Sequence, residues 1–144
     1  MIAVMMTASF TQSLLAEKGG DQKVNPAVLA AFSKDFIFTS DANWRKTQDV
    51  FVVNFMQSGE SYTAYYTEDG LLNSISNHVD KSKLPELVTK KIEKKYSHAE
   101  ILNVLLVRSV ADGVSYVIHI AAGSQERIIK ADADGAIENI KKIK

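Results

Sequence analysis

FVVNFMQSGESYTAYYTEDG, residues 51–70, returns 65 positions later as YVIHIAAGSQERIIKADADG, residues 116–135. Phe51, Val53 and Phe55 fall on Tyr116, Ile118 and Ile120, and Asp69-Gly70 falls on Asp134-Gly135. A fixed-spacing echo points to one supersecondary unit used twice. Within each copy apolar residues alternate along two strand-like runs, the period of a half-buried β-strand.

Working outward, each copy follows a helical pattern. Asn25-Pro26 supplies a helix cap and a proline at the first helical position. Val28, Leu29, Phe32 and Phe36 then recur at helical spacing. Phe38–Ala42 reads as a loop, and strands are expected near 43–47, 50–57, 60–67 and 71–77. A second helix is expected from about Lys83 to Tyr96, with Pro85 near its start and Leu84, Leu87, Val88, Ile92 and Tyr96 as its apolar stripe. Strands near 100–111, 114–122, 125–132 and 136–143 complete the pattern. The expected fold is α+β: two tandem helix-plus-four-strand units, residues 25–80 and 81–144 of a single domain. Their strands form an antiparallel sheet of up to eight strands, with two helices on one face.

Turn chemistry sets the expected register. Asp69-Gly70, Asp112-Gly113 and Asp134-Gly135 read as two-residue hairpin loops, because Asp-Gly tolerates the positive φ that a type I′ turn needs at both central residues. This places Ala64 opposite Ile75, Val107 opposite Ile118 and Ile129 opposite Ile140. Ser58-Gly59 and Gly123-Ser124 place Phe55 opposite Tyr62 and Ile118 opposite Ile129. Phe51, Val53, Phe55, Tyr66, Val107, Tyr116, Ile118, Ile120 and Ile129 are then expected to face the helices, with Trp44 beside Phe51 in the core. The other face is expected to carry Val52, Asn54, Met56, Thr63, Tyr65, Leu106, Arg108, Val117, His119, Ile128 and Lys130. It is more apolar than a solvated sheet face usually is.

The positions so far assigned also carry a family resemblance. Pro26 and an apolar helix through Ala31-Phe32, then Trp44, the strand Val50–Phe55, Tyr65-Tyr66, Glu68-Asp69-Gly70 and Leu84-Pro85 follow an order that resembles the PepSY-like family. The plan is similar to that of beta-lactamase-inhibitor-type proteins, which repeat a helix-plus-four-strand unit. The resemblance covers roughly Asn25 to Lys144. It implies an exported bacterial protein, with suggested roles in restraining hydrolases or peptidases, and it offers no catalytic residues to carry over. The sequence departs from it in the second unit, with Ser109 where the offset puts Trp44 and Lys130-Ala131 where it puts Tyr65-Tyr66.

Composition narrows the function classes. Lys plus Arg equals Asp plus Glu, at 17 each, and phosphate-backbone binding calls for a basic excess. There is no cysteine, so neither disulfides nor thiol chemistry is available. Met1–Phe10 (MIAVMMTASF) is too short to span a bilayer, which takes about 20 apolar residues. It resembles the apolar centre of a secretory signal peptide, with Ser13–Ala16 a candidate cleavage region, although no Lys or Arg precedes Lys18. Residues 1–24 are thus read as a leader and flexible lead, and the location as periplasmic or otherwise extracytoplasmic, in a bacterial envelope.

The tempting chemical motifs fail on spacing. Aligned on Gly135, the first and twelfth positions of a calcium loop are Lys130 and Lys141 instead of acids. His78, His98 and His119 lack the i, i+4 pairing of a zinc helix. No nucleophile elbow surrounds any serine, and no Gly-rich phosphate loop is present. The sequence reading therefore expects no enzyme, metal or cofactor. It expects an exported binding or regulatory module that meets a protein or peptide through Val52, Asn54, Tyr65, Leu106, Arg108, Val117, His119, Ile128 and Lys130 on the open sheet face. The alternative is a small-ligand-sensing or structural envelope domain. Lys81, Lys83, Lys90, Lys91, Lys94 and Lys95 make the second helix basic, read as a solvated back or as attraction to an anionic surface.

The export reading yields a direct expectation: mass spectrometry of the native protein finds a start between Gln12 and Lys23. An intact Met1 in a cytoplasmic fraction would count against it.

Overall fold

The computed structural model describes residues 23–143; the leader reading lies outside the described residues, apart from Lys23 and Val24. The order is α1 (Pro26–Asp35), β1 (Ser40–Thr47), β2 (Val50–Gln57), β3 (Glu60–Thr67), β4 (Leu72–Val79), a 3-10 turn (Lys81–Lys83), α2 (Glu86–Lys95), β5 (Glu100–Ser109), β6 (Gly113–Ala122), β7 (Gln125–Asp132) and β8 (Ile137–Lys142). The eight strands follow chain order in an antiparallel sheet. The chain divides into two compact units, the first ending at Ile75 and the second beginning at Ser76.

In the first unit the Asn25 side chain accepts the Ala27 N–H at 3.2 Å, and α1 ends where Phe36 turns extended. The same Asn25 side chain donates to the Glu68 carbonyl at 3.0 Å, tying the helix start to the β3–β4 turn. Val28 and Phe32 of α1 meet Trp44, Phe51, Val53, Phe55, Ala64 and Tyr66 in a core. Phe32 packs edge-on against Trp44 and Phe55, with ring centroids 5.4 and 5.1 Å apart. Tyr66 is fully buried, and its hydroxyl reaches Asp35 at the helix end, donating at 2.8 Å. Burial, together with the carboxylate acceptor, pushes the phenol pKa well up.

In the second unit the Asp80 side chain caps the 3-10 turn by accepting the Ser82 N–H at 2.8 Å, a bond that holds its carboxyl below the usual range. Glu86 in the first turn of α2, with Lys94 and Lys95 in the last, complements the helix dipole. This core is aliphatic: Leu84, Val88, Ile92, Val104, Ile118, Ile120, Ile129 and Ala131. Leu87, expected in the stripe, is 50% exposed.

The hairpins separate correct from incorrect register. Ser58 and Gly59 both have positive φ, and Phe55 pairs with Tyr62 as expected. Ile118 likewise pairs with Ile129. The Asp-Gly turns differ: only the glycine has positive φ, so none is type I′. Thr67 N–H donates to the Leu71 carbonyl and Asp132 N–H to the Ala136 carbonyl, so three residues form each loop. A side-chain oxygen at the strand end stabilises each wider loop. Thr67 Oγ1 accepts the Leu71 N–H, Ser109 Oγ the Asp112 N–H, and Asp132 Oδ1 the N–H groups of Asp134 and Ala136.

Two pairings change in consequence. Ile129 pairs with Asn139 instead of Ile140, and Ile140 is left 49% exposed. Val107 pairs with Ser115 instead of Ile118, because Val110–Asp112 separate the paired Ser109 and Gly113. That slip is an odd number of residues, so β5 from Asn103 to Ser109 is turned over relative to expectation, and an irregularity between Ile101 and Asn103 returns Ile101 to the helix side.

The turn glycines fix the spacing between helix and hairpin. A Cβ on Gly70 would lie 2.8 Å from the Ala27 carbonyl oxygen, and one on Gly135 would lie 2.9 Å from Leu87 Cγ. Ala27 and Leu87 are each the second residue of their helix.

Phe51→Ala should cost about 3–5 kcal/mol, as for other buried aromatics. Asn54→Ala, on the opposite face, should cost under about 1 kcal/mol; chemical denaturation of the two variants reads the order, and a reversal overturns the register of β2. Gly59→Ala, with open space around it, should lose about 1 kcal/mol to left-handed strain alone. Gly135→Ala should lose about 1–3 kcal/mol more through overpacking on Leu87. Adding Leu87→Ala should return that excess, and a double-mutant cycle without coupling would refute the contact.

Candidate functional site

The strand faces turned away from each helix bring together part of the expected surface. In the first unit Val52 lies between its cross-strand neighbours Arg45 and Tyr65, and Asn54 lies between Asn43 and Thr63. Thr63 Oγ1 donates to Asn54 Oδ1 at 2.8 Å. Asn54 is exposed and Tyr65 half-buried. Val52, expected to be open to a partner, is only 2% exposed and so is closed to direct contact.

In the second unit Val117 pairs with Leu105 and Lys130, and His119 with Asn103 and Ile128. All four expected residues, Val117, His119, Ile128 and Lys130, are half-buried on this face. His119 Nε2 lies 3.0 Å from Glu126 Oε1, an ion pair when the imidazole is protonated. Leu106 and Arg108 are corrected. Leu106 pairs with Tyr116 and Arg108 with Val114, on the side of Val104 and Ile118 that faces the helix. Leu105 and Val107 take their places on the outer face. The strand-end Ser109, which captures the Asp112 amide, was the available signal for the wider turn and therefore for this exchange.

Two clefts of about 320 Å³ each lie in the second unit. One is lined by Val79, Asp80, Lys81 and Ile101–Val104. Close to it His78 Nδ1 sits 2.8 Å from Asn103 Oδ1. The other is formed by Lys91, Lys94 and Lys95 of α2 with Gly135 and Ile137 of the β7–β8 hairpin. Sequence reading placed these lysines on a solvated helix back or against an anionic surface; the hairpin that completes the cleft approaches α2 at Gly135, beside Leu87. Among the described residues, no group of three His, Cys, Asp or Glu side chains is placed to hold a metal ion. No described helix is long and apolar enough to cross a membrane.

No family model matches the sequence, and no curated protein matches it. Solved structures do resemble the fold. A DUF2874 family protein from Bacteroides uniformis superposes with a TM-score of 0.73 at 15% identity, covering 81% of this chain and 90% of its own. A Bacteroides eggerthii protein described as periplasmic gives 0.73 at 16% identity, covering 83% and 91%. A BLIP-like protein from Bacteroides fragilis gives 0.72 at 12% identity, covering 86% and 89%. At such identities the likeness is one of fold: this chain has the fold of the BLIP-like and DUF2874 structures.

Proposed function

We propose that the chain is an exported, non-enzymatic binding module that holds a protein or peptide on the strand faces turned away from its helices, in the manner of a restraint on a hydrolase or peptidase. The observation that carries this reading is the half-buried, mixed surface of β6 and β7, where apolar Val117 and Ile128 alternate with the polar groups His119 and Lys130. Such a surface resists full solvation yet keeps the polar groups that specify a partner. In the first unit Tyr65 and Asn54 offer the same mixture, and tyrosine is among the side chains that most often carry binding energy.

The BLIP-like and periplasmic neighbours support the non-enzymatic and extracytoplasmic parts of the reading. The PepSY-like kinship and the origin of residues 25–80 and 81–144 as tandem copies belong to the same proposal. Their support is the 65-residue echo and the recurrence in both units of a turn glycine seated on the second residue of a helix.

The test is affinity capture from an envelope extract, with wild type beside a Tyr65→Ala/Lys130→Ala variant. The variant should keep its denaturation midpoint and lose a partner that wild type retains. Equal retention by a folded variant would remove these faces as the site.

A further inference from the structure

The cleft between α2 and the β7–β8 hairpin is independent of the sheet-face reading, and its chemistry differs. We propose that it binds an anionic amphiphile, a carboxylate or phosphate head carried on a short apolar chain. Three lysines line it, and Lys91 stands three and four residues from Lys94 and Lys95, spacings at which like charges oppose the helix. The helix dipole accounts for Lys94 and Lys95 in the last turn; Lys91 lies before that turn. Lys90 is paired with Glu86 at 3.3 Å, whereas among the described residues no carboxylate lies within 4 Å of the three cleft ammonium groups.

The nearby acids are not paired with these lysines. Glu138 sits opposite Lys130 on the other strand face, and Asp132 Oδ1 is occupied by the turn amides. Glu93 is one and two residues from Lys94, Lys95 and Lys91, positions that do not face one another on a helix. Asp134, beside Gly135 at the tip of the hairpin, is exposed to solvent.

The remaining walls are apolar. Ile137 packs against the aliphatic core, Gly135 is buried, and the Lys91 stem passes 3.6 Å from where a Gly135 side chain would begin. Cations at the rim over an apolar floor suit a ligand with both parts better than a bare anion. The volume of about 320 Å³ is at the small end for ligand clefts, which fits a single short chain.

The experiment is a ¹H–¹⁵N titration of the intact protein with octanoate, uncharged octanamide, and inorganic phosphate. Octanoate should shift the amides of residues 91–95 and 133–137 saturably, with octanamide and phosphate at least tenfold weaker. Lys91→Gln/Lys94→Gln/Lys95→Gln should weaken octanoate at least tenfold while leaving the thermal midpoint in place, and Lys90→Gln should leave the affinity unchanged. Should the triple variant not fold, Lys91→Glu alone should produce the same loss of octanoate affinity. The proposal is overturned if octanoate gives no saturable shift, if the cleft variants bind as wild type does, or if phosphate binds as tightly as octanoate. It is also overturned if phosphatidylglycerol vesicles retain the protein while free octanoate does not bind, since that would make α2 a membrane-surface contact.

Discussion

The close approach of a hairpin turn to the start of a helix is the constraint on which each unit depends. Gly70 against Ala27, and Gly135 against Leu87, leave no room for a side chain at either turn. With the helix start held at that distance, Val28 and Phe32, or Val88 and Ile92, fall one helical turn apart over the strands and close the core. The contents of the two cores are unlike, aromatic in the first unit and aliphatic in the second. What recurs is a turn glycine seated on the second residue of a helix, against the Ala27 backbone in the first unit and the Leu87 side chain in the second. In the first unit Asn25 reinforces it, because one side chain both caps α1 and holds the Glu68 carbonyl.

The fold was legible because its strands obey period two and its turns contain glycine. The bounds expected for β2, β3 and β7 coincide with those observed. The register misreadings came from one source, the identity of the residue before the turn. Asp-Gly alone suggests a two-residue loop, but Thr67, Ser109 and Asp132 each present an oxygen to an amide further along the chain, and the loop widens to receive it. At β5 the change was odd, so Leu106 and Arg108 moved to the helix side. At β8 an irregularity between Ile128 and Ile129 restored the expected pairing beyond it, with Ile128 opposite Lys141.

The outer-face residues were half legible for the same reason. Val117, His119, Ile128 and Lys130 lie on β6 and β7, whose Gly123-Ser124 connection was read with the correct register. The burial of Val52 was not legible, since alternation assigns a face and says nothing of how far long neighbours such as Arg45 and Tyr65 extend beside it. The basic cleft was hidden more deeply. It requires knowing that Leu87 leaves the apolar stripe to meet a turn 48 positions later, and nothing in helical periodicity reports that distance.

A net charge of zero conceals a segregated surface. Six lysines lie between Lys81 and Lys95 against two glutamates, so the balancing acids are spread over the rest of the chain. The outer strand faces pair their polar groups locally, as His119 does with Glu126 and Asn54 with Thr63. Side chains already held in such pairs lose little freedom when a surface closes over them, so contacts there depend on shape and on apolar area. The cleft lysines have long, exposed side chains and no acidic partner within 4 Å among the described residues. Ordering them costs more side-chain entropy, and an anion must supply the attraction. Binding at the lysines should therefore weaken steeply with salt, whereas binding on the strands should weaken less, because screening acts on exposed charge and leaves buried apolar contact largely untouched. Two surfaces on one small chain thus differ in how steeply their binding responds to ionic strength.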